Sequence, residues 1–272
     1  MSAASGGPLK VLVLVKHVPD AQFERHLTGA DHGIDRSESI LSELDEYAIE
    51  AALQLVEARG GVKAGHTVTA LTMGPERAAA AVKKALQMGA TDGVHITDPA
   101  LAGSDAAATS LVLATAITHL GGFDVVVTGM ASTDGETSLV PAQLAERLGL
   151  AQLTMVSSLA LGDDGVLTGR RDSDTTSTTL TAAAPAIVSV TDQGEEPRYP
   201  NFKGIMGAKK KKTVALSVAD LGLDPSQVGA AGSWTRVEDA APRPPRTAGT
   251  VITDEGDAGV QLVDFLAGKK LL

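Results

Sequence analysis

The sequence has 272 residues, of which 43% are hydrophobic and only 3% aromatic, so alanine, valine and leucine must fill a sizeable core. Its formal net charge of −10 argues against a nucleic-acid-binding protein, because such proteins need a basic face to neutralise phosphates. Cysteine is absent, which excludes disulfides, thiolate metal sites, iron–sulfur clusters and cysteine nucleophiles.

The first half of the chain alternates predicted strands and helices. Short apolar runs predict strands at residues 10–15, 66–73, 93–96 and 123–128. Helices are predicted between Ser42 and Gly60, from Gly74-Pro75 to Leu86, from a Ser104 cap to Leu120, and over 139–148. The first helix opens on Ser42-Glu43-Leu44-Asp45, which resembles a capping box with Asp in the acidic position. This alternation predicts an α/β fold with a doubly wound, mainly parallel sheet.

The second half has a different character. Four β segments are predicted at 153–161, 166–171, 177–182 and 185–191, and periodicity fades beyond Gln193. The tail contains Pro242, Pro244 and Pro245 before a last short helix near 260–266. We therefore divide the chain into an α/β domain at 1–228, which includes a recognition loop at 194–212, and an extended C-terminal arm at 229–272. An arm this poor in core residues is expected to pack on a partner.

A ligand crevice is predicted beyond the carboxyl ends of the strands, where the strand order of such a sheet reverses. Segments 15–20, 73–75 and 129–137 should meet there. In the last segment small residues allow a close approach to the backbone, and the next helix directs free N–H groups towards the crevice, which suits a phosphate. An ordinary loop capped by Asp134 or Ser138 explains these residues equally well. No GxGxxG or GxxxxGK[ST] motif occurs, which argues against classical NAD or P-loop binding.

Catalytic and metal-binding signatures are not found in the sequence. The six histidines are dispersed without metal-ligand spacing, and no serine lies in a GxSxG elbow. We therefore expect no catalytic residue, no metal site and no enzyme activity. Residues 1–9 lack the features of a signal peptide, and no apolar run approaches the ~18 residues of a membrane span, so a cytoplasmic location is expected.

Residues 199–206 carry large apolar side chains in a Pro- and Gly-rich stretch without strand or helix periodicity, and four lysines follow at 209–212. In a chain with so few aromatic residues, apolar residues in a Pro- and Gly-rich loop indicate a contact surface. A loop folded back on the core is the alternative, and composition alone does not separate the two interpretations.

Several ordered pieces of this sequence resemble beta subunits of electron-transfer flavoproteins, over nearly the whole length. The pieces are LVKHVPD (14–20), LDEYAIEAAL (44–53), ALQMGATDGVHI (85–96), GMASTDG (129–135), PAIVSV (185–190), EPRYPNFKGIMGAKKKK (196–212), DLGLD (220–224) and PPRTAG (244–249). The stretch at 196–212 is the most specific of them.

The resemblance implies an adenine-nucleotide-binding, Rossmann-like domain that pairs with an alpha subunit. In that family the alpha subunit makes most contacts to a redox-active FAD, and the beta subunit holds one structural AMP. Electrons arrive from acyl-CoA and related dehydrogenases, as in fatty acid β-oxidation, and leave to a membrane quinone oxidoreductase.

The resemblance also implies site residues. The positions that match the AMP contacts of the family are Leu14, Ser42, Glu43, Leu44, Asp45, Met73, Gly129, Met130, Ala131, Ser132, Thr133, Asp134, Gly135, Glu136, Thr137, Ser138, Leu139 and Val140. Leu139 and Val140 replace polar side chains of many relatives, so backbone N–H groups would have to serve there. Asp172 stands where relatives often carry a Glu that steadies the mobile FAD domain, and its carboxylate is one methylene shorter.

The dehydrogenase-docking loop of the family matches the 196–212 stretch, and Phe202 falls at the position of its leucine anchor. The implied docking residues are Tyr199, Pro200, Phe202, Ile205, Met206, Lys209, Lys210, Lys211 and Lys212.

Two alternatives remain open from the sequence. One is a bifurcating subunit in which a second FAD replaces AMP. The other is a nucleotide-binding regulatory protein of the same fold, which would leave the basic loop and the long tail without a role. A nucleotide hydrolase lacks support because no acid/base pair is clustered.

Overall fold

The computed structural model describes residues 7–29, 31–241 and 243–272. The chain divides into two compact units between Glu238 and Asp239. Pro242 of the predicted arm and the first six residues of the N-terminal segment lie outside the described residues.

The first unit is built from strands and helices in alternation. Its strands are β1 (Lys10–Leu14), β2 (His17–Pro19), β3 (Leu27–Thr28), β4 (Gly33–Ile34), β5 (Ser39–Leu41), β6 (Thr67–Met73), β7 (Asp92–Ile96), β8 (Val125–Gly129), β9 (Ala151–Val156), β10 (Ser158–Leu161), β11 (Val166–Asp172), β12 (Ser177–Ala183), β13 (Ala186–Val190) and β14 (Thr213–Leu216). Its helices are α1 (Glu43–Glu57), α2 (Ala79–Met88), α3 (Ala106–His119), α4 (Val140–Leu148), α5 (Phe202–Ala208) and α6 (Gly229–Gly232).

A seven-stranded sheet in the order β14-β7-β6-β1-β8-β13-β9 forms the centre of this unit. Each neighbouring pair in it is parallel. The chain runs outwards from β1 through β6 and β7 and then returns to β8 on the other side of β1. The order therefore reverses at β1, which confirms the predicted doubly wound α/β fold.

Two apolar layers cover the two faces of the sheet. Val11 and Val13 of β1 belong to the core that includes α1 and α2, whereas Leu12 and Leu14 belong to the core that includes α3 and α4. Residues 11–14 are all buried, because helices lie on both sides of the strand. This explains why β1 is an uninterrupted apolar run rather than an alternating one.

Smaller sheets are attached to this core. β10, β11 and β12 form an antiparallel sheet, and two short antiparallel pairs, β2–β5 and β3–β4, fold the segment predicted as a loop or hairpin after β1. Edge strand β14 was not predicted. It follows the four lysines directly and is only partly buried, so it lacks a continuous apolar pattern.

The predicted absence of a helix in residues 199–206 was wrong, because α5 begins at Phe202. Asn201 starts this helix by accepting a hydrogen bond from the Gly204 N–H at 2.8 Å. The helix was not predicted because glycine and proline ordinarily argue against a helix, and this segment contains Pro200, Gly204 and Gly207. Helix α3 also starts differently from the prediction, with Asp105 rather than Ser104 as its capping residue.

The second unit contains helix α7 (Ala258–Gly268), which extends the predicted last helix at both ends. Its apolar side chains are exposed within this chain, including Val260, Leu262, Val263 and Phe265. In the part of the chain that the structure describes, every helix is too short or too polar to cross a membrane.

Candidate functional site

The carboxyl ends of three adjacent strands lie at one edge of the sheet, the place of the predicted crevice. Leu14 ends β1, Met73 ends β6 and Gly129 ends β8, and β1 pairs with both neighbours. This is the point at which the strand order reverses. The predicted segments after β1, β6 and β8 therefore leave the sheet at a common edge, as ligand-binding crevices of such sheets require.

The start of α1 lies directly against the end of β8. A Cβ atom at Gly129 would be 2.6 Å from Asp45 Oδ1 and 3.1 Å from the Leu44 carbonyl oxygen, so only glycine fits there. The other carboxylate oxygen of Asp45 accepts a hydrogen bond from the Lys16 backbone N–H at 2.7 Å. Residues Ser42, Glu43, Leu44 and Asp45 therefore lie beside the end of β8, and their contact with AMP stays a prediction.

The predicted capping box at this helix start was wrong. Ser42 precedes α1 but makes no side-chain cap, and its buried Oγ has no partner within the described residues. The Ser42 N–H donates instead to the Lys16 carbonyl oxygen at 3.0 Å. In a capping box the Asp45 carboxylate would accept a hydrogen bond from the Ser42 N–H. Because that N–H already donates to the Lys16 carbonyl oxygen, the carboxylate accepts from the Lys16 N–H instead, just beyond the end of β1.

Asp45 has an unusual ionisation. Burial raises the pKa of its carboxyl to about 7, although the N–H groups of Lys16 and Gly129 and the charge of Lys16 oppose the shift. A buried acid that titrates near neutrality beneath a ligand crevice makes the local charge depend on pH.

Residues 130–139 form the loop that follows β8, and the Asp134 side chain fixes its position. Asp134 Oδ1 lies 2.8 Å from Lys16 Nζ, and Oδ2 lies 2.5 Å from Arg36 Nη2. Burial alone would raise the pKa of Asp134, but the two cations outweigh it and hold the pKa well below its usual range. Asp134 is therefore a tether and not the helix cap considered from the sequence.

The backbone of this loop presents free donors. Helix α4 begins at Val140 without a side-chain cap, so Ser138 does not cap it either. Among the hydrogen bonds of the described residues, the N–H groups of Thr137, Ser138 and Val140 have no acceptor. Residues 135–139 are exposed, and uncapped N–H groups at a helix start favour an anion.

Backbone strain in the loop lies at two residues that are not glycine. Glu136 and Ser138 have φ values of 50° and 52°, whereas Gly135 is outside the left-handed region. A Cβ at Gly135 would approach Ser132 Oγ at 3.2 Å, a contact that rotation of the serine can relieve. Positive φ at non-glycine residues costs about 1–3 kcal/mol each and is concentrated at ligand-binding loops. Met130, Ala131 and Thr133 complete the loop and are half-buried.

The predicted docking residues lie apart from the crevice elements, on and around α5. Tyr199, Phe202, Ile205 and Met206 are exposed, with Phe202 at 79%. Lys209, Lys210 and Lys212 are exposed as well. Pro200 is buried, and Lys211 donates from Nζ to the Leu86 carbonyl oxygen at 2.7 Å, so these two residues do not join the exposed face.

Asp172 lies at the end of β11, where side chains of its own subunit hold it. It accepts hydrogen bonds from Ser177 Oγ, from Ser157 Oγ at 2.7 Å and from Arg170 Nε at 2.8 Å. These contacts, that of Ser177 first, lower the pKa of its carboxyl to about 2. The carboxylate is therefore charged, and its role towards an FAD domain stays a prediction.

Three charged residues were missed as site components. Lys16 and Arg36 organise the crevice loop, and Arg198 precedes the docking residues. Lys16 and Arg198 lie within matched motifs, which was the available signal. Arg36 contacts Asp134 across 98 positions and carried no local signal.

The reversing parallel sheet, with a helix start over its strand ends, has the architecture of nucleotide-binding α/β proteins. Among the described residues, no three His, Asp or Glu side chains are arranged to hold a metal ion. A family model for the electron transfer flavoprotein domain matches residues 32–221.

Electron transfer flavoprotein beta subunits are similar along almost the entire chain. The identity is 44% to that of Mycobacterium leprae and 42% to that of Mycobacterium tuberculosis H37Rv, each covering 96% of this chain and 99% of the relative. The beta subunit of Megasphaera elsdenii is 33% identical over 96% of this chain and 97% of its own. The chain belongs to the electron transfer flavoprotein family and matches its beta subunits, which confirms the resemblance found in the sequence.

Proposed function

We propose that this chain pairs with an alpha subunit, holds AMP in the crevice and serves as part of an electron carrier. The carrier would accept electrons from acyl-CoA and related dehydrogenases and deliver them to a membrane quinone oxidoreductase. FAD, held mostly by the alpha subunit, supplies the redox chemistry when bound. In this proposal the chain converts no substrate, and it works in the cytoplasm.

The observation that carries the AMP proposal is the set of free N–H groups at Thr137, Ser138 and Val140. They lie at the start of a helix of nine residues, at the end of the loop that follows β8, the strand next to β1 where the sheet order reverses. Backbone donors and the positive end of the helix suit a phosphate without any lysine or arginine contact to it. Val140 therefore fits this role despite its apolar side chain, whereas the Leu139 N–H donates to Thr137 Oγ1 at 3.5 Å.

The surrounding residues fit a mononucleotide. Gly129 lets the end of β8 lie against the start of α1, where any side chain would collide with that helix. Lys16 and Arg36 hold the loop through Asp134 and leave a net positive charge in this ion cluster, which lessens the repulsion of a phosphate. Leu14, Met73 and Ser42 would line the strand ends beside the ligand.

The docking proposal rests on the exposed face of α5. Four large apolar side chains, Tyr199, Phe202, Ile205 and Met206, are exposed in a chain with few aromatic residues. An aromatic side chain that enters a partner pocket buries ~150–250 Å². The lysines that follow would steer an acidic partner towards this face.

The pairing proposal rests on two exposed parts of the C-terminal arm, the segment 229–272 that is expected to pack on a partner. Trp234 is 86% exposed within this chain, and α7 exposes an apolar surface. Surfaces of this kind mark contacts to a partner. An alpha subunit is the partner that family membership favours.

Nucleotide analysis of the purified heterodimer tests the cofactor proposal. The chain would be co-expressed with its alpha subunit, denatured in acid, and the released nucleotides separated and counted. We expect one AMP and one FAD per heterodimer. Two FAD molecules without AMP would contradict the proposal and favour the bifurcating alternative.

A further inference from the structure

Arg198 stands immediately before the exposed docking residues and is bound to helix α1 by an extensive ion cluster. Its Nε and Nη2 donate to the two carboxylate oxygens of Glu50 at 2.7 and 2.8 Å. Its Nη1 and Nη2 donate to the carboxylate of Glu57 at 2.5 and 2.9 Å. The Arg198 backbone N–H also donates to Glu50 Oε2 at 3.1 Å.

Burial and a fixed hydrogen-bond geometry distinguish this cluster from an ordinary surface ion pair. Glu50 is buried, with 7% of its side chain exposed, and Arg198 is two-thirds buried. Burial alone would raise the pKa of Glu50, but the contacts from Arg198 outweigh it and lower that pKa. A planar guanidinium bound by two carboxylates has a fixed orientation, which a lysine cannot reproduce.

A second attachment holds the other end of the segment. Lys211 Nζ donates to the carbonyl oxygen of Leu86 near the end of α2, and Ala208 is buried. Between the two attachments α5 lies close to α2, since a side chain at Gly204 would collide with the Gln87 carbonyl oxygen. The segment is thus fastened at both ends to helices of the nucleotide-binding core.

What this arrangement displays is a preformed apolar face. Tyr199 is exposed next to Arg198, with Lys84 Nζ 4.9 Å from its ring centroid, and Phe202 opens the helix that follows. Without its attachments, a stretch with two glycines would sample many conformations in solution. Ordering it during each encounter would weaken binding.

We propose that Arg198 is a positioning residue for docking, which holds residues 199–208 in the conformation that a dehydrogenase recognises. This inference rests on the proposed docking function of that segment. Arg198 itself does not have to touch the partner. Its contribution is to remove the conformational cost of ordering the segment, so it should act on binding and leave electron transfer within the complex unchanged.

The test uses the complete heterodimer in Arg198→Ala and Arg198→Lys forms. The donor is an acyl-CoA dehydrogenase that reduces the wild-type heterodimer, supplied with its acyl-CoA substrate. We expect both variants to raise the KM for the heterodimer about tenfold at unchanged kcat, because the segment must now be ordered on binding. Hydrogen exchange in residues 199–208 of the free heterodimer should become faster in both. Lys83→Ala, at an exposed position of α2, serves as the control and should change neither quantity.

Three results would overturn the proposal: an unchanged KM, a raised KM with unchanged exchange in residues 199–208, or a normal KM in Arg198→Lys. The last would mean that only the charge matters. If Arg198→Ala does not fold, Glu57→Gln weakens the cluster at its more exposed member and is judged by the same two measurements. Phe202→Ala separates the docking proposal from the positioning proposal. A normal KM in Phe202→Ala would remove the docking function itself. A raised KM in Phe202→Ala together with a normal KM in the Arg198 variants would remove only the positioning role of Arg198.

Discussion

Lys16 and Asp134 lie 118 positions apart in the sequence, yet the ammonium of one and the carboxylate of the other are 2.8 Å apart. This ion pair joins the end of the central strand to the loop that follows β8. Arg36 adds a second cation from the segment between them. The conformation of the crevice loop therefore depends on residues from three separate parts of the chain.

Asp134→Asn should release this loop. The change removes the buried charge on which two cations converge, and because Lys16 and Arg36 are partly exposed the cost should stay below the ~3–5 kcal/mol of a fully buried pair. We expect a lower urea midpoint of the heterodimer and a reduced AMP content. Asp163→Asn, in an exposed turn, is the matched control and should behave like wild type. Full AMP retention in Asp134→Asn would show that the tether does not shape the site.

Asp45 should make stability depend on pH near neutrality. Its folded pKa of about 7 lies above the unfolded value of about 3.9, so the folded state binds the extra proton. Stability should therefore fall as pH rises from about 4 to about 7, by up to about 1.4 kcal/mol per unit. Asp134 affects the pH dependence of stability in the opposite direction. Its folded pKa is depressed, so its contribution to the stability of the fold is lost only as pH falls below about 4.

Asp45→Asn keeps an oxygen acceptor for the Lys16 N–H and removes the ionisable proton. Urea unfolding of both heterodimers at pH 5, 6, 7 and 8 measures the difference. We expect the variant to gain stability relative to wild type as the pH rises from 5 to about 7, and the difference to level off above that. Parallel curves for the two proteins would mean that Asp45 does not titrate there.

The two glycines at the crevice should respond differently to alanine. Gly129→Ala places a methyl group 2.6 Å from Asp45 Oδ1, beside backbone that cannot move freely, and should cost at least about 2 kcal/mol. Gly135→Ala meets only a rotatable serine and should cost less than about 1 kcal/mol in folding. Urea unfolding of the two variants decides the order. Equal losses would contradict the steric argument.

The sequence predicted the sheet well because its strands are buried on both faces. Residues 10–15, 66–73 and 185–191 are apolar runs with clear ends, and a family motif lies at the turn that follows the first of them. Edge strand β14 and helix α5 were missed, since one is half-exposed and the other contains two glycines. In both cases tertiary contacts override a weak local pattern.

The sequence predicted where the site residues lie better than it predicted which of them contact one another. Backbone segments at strand ends follow from topology, so Gly129 and the loop after it could be placed from the sequence. The contacts of Arg36 with Asp134 and of Arg198 with Glu50 cross 98 and 148 positions. No local propensity encodes a pairing over such distances, so only the folded chain reveals these ion clusters.

Truncation after Asp239 should weaken assembly with the alpha subunit. The deletion removes α7 and its exposed apolar residues, and the remaining unit keeps both core layers. We expect a lower yield of heterodimer and less bound FAD after co-purification, while the truncated chain stays folded by circular dichroism. Val263→Asp, a single charged substitution on α7, should reproduce part of the loss. Normal assembly of the truncated chain would make the arm a passive extension.

Phe202→Ala tests the docking face directly. The ring is 79% exposed, so its removal leaves no cavity and should change the unfolding free energy by less than about 0.5 kcal/mol. An aromatic anchor at the centre of a small interface typically contributes about 2 kcal/mol or more to binding. We therefore expect electron acceptance from a reduced acyl-CoA dehydrogenase to fall about 30-fold in kcat/KM, which is the same free energy expressed as a rate. AMP content and the FAD spectrum should stay normal.

Salt dependence distinguishes the anchor from the lysines beside it. Lys209 and Lys210 should act on the association rate, which falls as ionic strength rises, whereas the apolar contribution of Phe202 is not screened. In stopped-flow measurements, Lys210→Ala should therefore flatten the salt dependence, and Phe202→Ala should slow transfer by a similar factor at every salt concentration. A loss of thermal stability with unchanged transfer kinetics in Phe202→Ala would instead make the ring a structural element and remove its docking role.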